Sequence, residues 1–130
     1  MSRIDLMILL DLVGASNPTF LTYVNPQTRD CDKYGQELSK IEDSLLKQMS
    51  QDNDKKYFYD MCFKEDDIVD DHMPLLEHGM RRALHIISDP FPITWHTLED
   101  DLEHLDVGTI LRINRIVRIF VAEYFNIHFY

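Results

Sequence analysis

Positive charge is scarce in this 130-residue chain. Its 13 Lys and Arg stand against 23 Asp and Glu, for a formal net charge of −10. Proteins that grip a nucleic-acid backbone neutralise phosphates with clustered Lys and Arg, so no nucleic-acid partner is expected. Docking on an anionic membrane surface is disfavoured for the same reason. Glycine and proline are also few, at 4 and 5 residues, and form no low-complexity tract. The apolar run at residues 6–10 is far too short to span a bilayer, so no membrane span is expected in this chain. Only two cysteines occur, Cys31 and Cys62, without the paired spacing of a zinc ligand set. They could form one disulfide or remain buried thiols, and their spacing leaves both open. What remains, 45% hydrophobic and 28% charged residues, is ordinary globular composition at the length of one domain or part of a larger one.

The N-terminus imitates a secretory signal peptide. Arg3 precedes Leu6-Met7-Ile8-Leu9-Leu10, and small residues follow at Gly14-Ala15-Ser16. Asp5 and Asp11 bracket the run, however, and a carboxylate is costly inside such an apolar region. The stretch is read as a buried strand over residues 6–12, covered on both faces, with Met1 just before it and no leader. Turn residues at 13–18 end it.

From residue 32 to 49, Tyr34, Leu38, Ile41, Leu45 and Met49 recur at helical spacing, with Asp30 or Asp32 as N-cap. A polar loop is expected at 50–56, an aromatic-rich strand at 57–63 and a charged turn at 64–67. Asp70 or Asp71 is expected to cap a short helix at 73–78, with Pro74 in its first turn and Gly79 at its end. Residues 83–87 read as a further strand, 99–106 as a solvated acidic segment, and 106 to about 125 as a last helix capped by Asp106. Three strands alternating with helices imply an α/β layer with mainly parallel pairing. So thin a sheet predicts an incomplete α/β unit, part of a larger three-layer domain.

In open α/β sheets, ligands bind beyond the carboxyl ends of the strands. That rule brings forward Asp11 after the first strand, Asp70, Asp71 and His72 after the second, and Trp95 and His96 after the third. Bland readings stand beside each. Asp11 could be a strand-end or capping carboxylate, Asp70 and Asp71 helix caps, and His85 a satisfied core imidazole. Tyr57, Phe58 and Tyr59 are expected in the core rather than stacked on bases. His96 is the best single metal candidate, yet catalytic zinc usually takes three protein ligands. No His-Glu-x-x-His, Gly-rich phosphate loop or Gly-x-Ser-x-Gly elbow is present.

Several segments together carry a resemblance. Leu9-Leu10-Asp11-Leu12-Val13-Gly14-Ala15-Ser16-Asn17-Pro18-Thr19-Phe20, Ile68-Val69-Asp70-Asp71-His72-Met73-Pro74, and Pro90-Phe91-Pro92-Ile93-Thr94-Trp95-His96-Thr97 appear in that order. They resemble the last part of animal glutaminyl-peptide cyclotransferases, or glutaminyl cyclases, over essentially all of residues 1–130. The resemblance implies a zinc-aminopeptidase-like fold, peptide or protein substrates with N-terminal glutamine, and their conversion to pyroglutamate with release of ammonia. It implies Zn2+ as cofactor, with His96 as a zinc ligand. Asp11 and Asp70 would form a hydrogen-bonded acid pair assisting proton transfer, and Ile68, Phe91 and Trp95 would wall the substrate pocket. A secretory or extracellular location follows from the same resemblance.

The departures are specific. The family's other zinc ligands, an aspartate and a glutamate, and its proton-shuttling glutamate belong upstream of the matched part. Val69 stands where a glutamine is usual, residues 64–67 replace a glycine-containing turn, and the loop at 79–85 is a residue longer. The chain alone is therefore expected to be inactive, as the C-terminal portion of a cyclase. A non-catalytic short form acting as an interaction module is the alternative, and another zinc hydrolase of the same fold is a third reading.

Overall fold

The computed structural model describes residues 4–24, 31–49, 55–65, 68–80 and 82–127. Met1 and Arg3, Asp30, most of the 50–56 loop, Asp66, Asp67 and His128 lie outside the described residues. In chain order the elements are β1 (Met7–Asp11), β2 (Phe20–Val24), α1 (Lys33–Met49), β3 (Phe58–Glu65), α2 (Met73–Glu77), β4 (Ala83–Ile87), a 3-10 turn (Leu102–His104) and α3 (Val107–Tyr124).

Pairing is parallel in both ladders. β1 runs beside β4 in register from Met7 opposite Ala83 to Asp11 opposite Ile87. β2 runs beside β3 with two register shifts after Leu21. A bridge between Phe20 and Ser88 joins the two pairs. The two parallel pairs thus hold four described strands where three were expected. The additional one, β2, is a run of five residues whose partner strand lies 37 residues further along the chain, as the bond from the Thr22 hydroxyl to the Tyr59 carbonyl records. β3 continues through Lys64 and Glu65, where a turn was expected. β1 is covered less than expected, for Leu10 is 46% exposed.

One face of the sheet carries α1 and α3. Their periodic apolar residues, including Tyr34, Leu38, Ile41, Ile113, Ile116 and Phe120, close over Phe20, Phe58, Leu84 and Ile86. Within that layer Glu42 is fully buried, yet its carboxylate accepts from the Tyr57 and Phe58 backbone N–H groups and from Arg112 Nη2 at 2.6 Å. Burial raises its pKa, against the opposing pull of those N–H groups and the guanidinium. The Arg112 guanidinium also lies 4.1 Å from the centre of the Tyr57 ring.

The helix ends follow local chemistry. The Asp32 carboxylate accepts from Tyr34 N–H at the start of α1, and the Asp106 carboxylate accepts from Thr109 N–H at the start of α3. At α2 the expected Asp cap is absent: His72 occupies the N-cap position without a side-chain cap bond. Asp70 contributes its backbone carbonyl there, accepting from Met73 N–H. Gly79 follows α2 at φ +88°, a conformation that favours glycine. Cys31 and Cys62 form a disulfide that ties the entry to α1 onto β3, which resolves the two alternatives left by their spacing.

Candidate active site

Because β1 and β4 are parallel and in register, Asp11 and Ile87 end their strands at the same edge. The segment after β4 folds back over that edge. Asp89 N–H donates to the Thr19 carbonyl, and the buried Ser88 hydroxyl donates to the Pro90 carbonyl. The Asp89–Pro90 peptide is cis. Two further bonds set the turn that follows: Trp95 N–H donates to the Pro92 carbonyl, and the Thr97 hydroxyl to the Thr94 carbonyl.

This turn assembles an aromatic wall. The Phe91 and Trp95 rings meet edge to face at 4.7 Å, and the Trp95 indole stacks on the His96 imidazole at 3.8 Å. His96 has φ +59°, while Leu12 and Asn17 on the adjoining loop have φ +52° and +53°. Left-handed backbone at non-glycine residues costs free energy and collects at functional sites. A shallow cleft beside the wall is lined by Leu12, Gly14, Trp95, Asp100, Asp101 and His104. At its rim the His104 ring lies 2.8 Å from the Asp101 carboxylate, a contact that lowers the acid's pKa and raises the imidazole's.

The acids fall on a second feature. Leu84 and Ile86 face the helices, so strand alternation turns His85 to the opposite face. Asp11, in phase with Leu9 and His85 in the paired register, leaves by that same face, two residues nearer the strand end. Asp70, on the loop between β3 and α2, reaches His85 with Oδ2 at 3.0 Å from Nε2. Its Oδ1 accepts from Asp71 N–H at 2.7 Å. His72 from the same turn lies against His85, with ring centroids 4.4 Å apart and the two rings tilted by 36°. The Asp11 carboxylate accepts from Leu12 N–H at 2.9 Å. The structure therefore brings Asp70 together with His85 and His72, and sets Asp11 on the same face without a direct bond to Asp70. Ile68 is half-buried at the start of the Asp70 loop.

His96 is exposed, and no hydrogen bond to a described residue claims its ring nitrogens. It fits the role of one metal donor. No three His, Cys, Asp or Glu side chains come together to hold a metal ion among the described residues. These residues thus fit one ligand position, not a complete metal centre.

A parallel-stranded α/β unit with its loops gathered at one strand edge defines the class. The model of peptidase family M28 matches residues 1–121, and the chain belongs to that family. Over 126 residues the chain is 40% identical to the glutaminyl-peptide cyclotransferase of Boiga irregularis, covering 95% of this chain and 33% of that protein. Over 124 residues it is 43% identical to the glutaminyl-peptide cyclotransferase of Dictyostelium discoideum, covering 95% of this chain and 32% of that one. The chain thus spans about a third of the length of the curated relatives it matches. Its fold superimposes on the glutaminyl cyclase of Macrostomum lignano with a TM-score of 0.76 at 24% identity, over 93% of this chain and 39% of that one.

Proposed function

We propose that residues 1–130 form the C-terminal portion of a zinc-dependent glutaminyl-peptide cyclotransferase. The observation that carries this reading is the Phe91–Trp95–His96 wall at the edge where β1 delivers Asp11, in a chain so similar to cyclotransferases. In the reaction, the α-amine of an N-terminal glutaminyl residue attacks its own side-chain amide carbon. The new carbon–nitrogen bond closes the pyroglutamyl ring, the bond to the amide nitrogen breaks, and a proton passes from the attacking nitrogen to the departing ammonia. Holding nucleophile and electrophile in one conformer supplies much of the barrier reduction. Phe91, Trp95 and Ile68 would enclose the glutaminyl side chain and exclude water, while Asp11 and Asp70 would assist the proton transfer. Zinc, when bound, would polarise the amide carbonyl. His96 would hold it together with ligands from outside these 130 residues.

By itself the chain is expected to turn over no glutaminyl peptide. Peptide substrates follow from the same reading, and the Cys31–Cys62 disulfide supports a secretory or extracellular location. The deciding experiment replaces the matched third of the Boiga irregularis relative with these residues, then measures pyroglutamate formation and bound zinc. The chimera should be active, His96→Ala should lose zinc, and Asp70→Ala should keep zinc while losing turnover. A chimera that folds and binds zinc but makes no pyroglutamate overturns the reading, and equal zinc loss in both variants overturns the assigned roles.

A further inference from the structure

A covalent bond joins β3 to the entry of α1 at the point where the β2–β3 ladder loses step. The two strands pair evenly from Phe20 opposite Phe58 to Leu21 opposite Tyr59. The next step on β2, to Thr22, spans Tyr59 to Cys62 on β3, and the continuation to Val24 spans Cys62 to Glu65. Such shifts interrupt a ladder locally. Cys62 lies between them, and its disulfide to Cys31 ties this end of β3 to the start of α1. That start is itself anchored: Asp32 N–H donates to the Tyr23 carbonyl, and the Asp32 carboxylate accepts from Tyr34 N–H.

The tie bears on the candidate site because β3 is followed in the chain by the loop that carries Ile68 and Asp70. It is also within reach of reagents, for Cys62 is exposed and Cys31 half-buried. Exposed disulfides are the more readily reduced and the more often regulatory ones. We infer that Cys31–Cys62 is a redox-sensitive clasp, which when closed holds the end of β3 and with it the Ile68–Asp70 loop. A dithiol opens it. One thiolate attacks the Cys62 sulfur and the Cys31 sulfur leaves as a thiolate; the second thiol then displaces Cys62 and closes the reagent's own disulfide. The protein disulfide is reduced and the dithiol oxidised. The inference rests on the reading of Ile68 and Asp70 as residues of the active site.

The test compares the full chain before and after dithiothreitol by hydrogen–deuterium exchange, which needs no turnover. Opening should quicken exchange at Cys62 to Glu65 and at Ile68 to Asp71 by about tenfold or more, with a smaller change in α3, which stays protected. The double variant Cys31→Ser/Cys62→Ser should reproduce that pattern without reductant and respond no further to it. No change at those amides, or an equal change in α3, overturns the inference, since the bond would then do nothing there or only add to the stability of the whole. In the chimera, tris(carboxyethyl)phosphine, a reductant with no thiol to bind zinc, should lower kcat several-fold, and the double-serine chimera should ignore it. Turnover that is unmoved, or that falls equally in both, overturns the link to the site. A chimera inactive throughout overturns the cyclase reading and leaves the exchange result to decide the clasp.

Discussion

The helix-covered face of the sheet and the stretch from Ser88 to Asp106 use similar apolar residues and give them opposite surroundings. On the covered face Leu38, Ile116 and Phe120 are 1%, 0% and 1% exposed, whereas Ile93, Leu98 and Leu102 are 96%, 100% and 85% exposed. What separates them is spacing. Repetition at three and four residues gives α1 and α3 a continuous stripe that one sheet face can cover. Along residues 88–106 the apolar side chains follow no period, and the chain turns to satisfy local hydrogen bonds instead. Stability belongs to the first region. The second leaves its apolar side chains in solvent one by one.

That division can be broken by mutation. Phe120→Ala should cost about 3–5 kcal/mol of unfolding free energy, while Leu98→Ala should stay within about 0.5 kcal/mol. Equal shifts in urea midpoint would remove the distinction. Next in size is Cys31→Ser, which opens a link between residues 31 apart and should cost about 2–4 kcal/mol. An unmoved midpoint would mean that the disulfide adds nothing to a core already held by the helices. Asp106 stands where the two regions meet. Asp106→Ala should lose about 1 kcal/mol and speed hydrogen exchange at the first turn of α3 alone; faster exchange throughout the helix would show that the boundary is not local.

The smallest effect lies wholly in the exposed stretch. The hydrogen bond with Asp101 raises the pKa of His104 above its ordinary 6.5. A raised histidine pKa gives stabilisation that is complete below 6.5 and lost as pH rises through the folded-state value. Thermal melts should therefore show a slight loss across that window in the wild type and none in His104→Ala. A large loss would mean that this rim is coupled to the core.

The elements with strong periodicity or caps were legible in the sequence: α1 from its apolar stripe, α3 from that stripe and Asp106, and β1, β3 and β4 from their apolar runs. β2 was not, because Phe20–Val24 is short, follows strong turn residues and gains its strand identity from a distant partner. The 3-10 turn was hidden in the acidic segment, where Asp101 accepts from Glu103 and His104 N–H without any apolar pattern. At the site, strand ends and loop residues could be named in advance. His85 could be read as a satisfied core imidazole, as its bond with Asp70 bears out, but the identity of its partner depended on a contact across 15 residues. His72 carries no local mark that distinguishes a ring contact with His85 from plain burial.

Parallel pairing also sets a timetable for synthesis. The bond between Asp5 and Arg82 joins residues 77 apart, at the leading ends of β1 and β4. At about 5–20 residues per second, β1 waits roughly 4–15 seconds for its neighbour. Through that interval, Leu6 to Leu10 is an apolar segment whose edge toward β4 is still unpaired, the kind that recruits copies of itself. Asp5 and Asp11 flank it, and charges in those places discourage such stacking. The nascent chain thus carries its own safeguard against aggregation until β4 arrives.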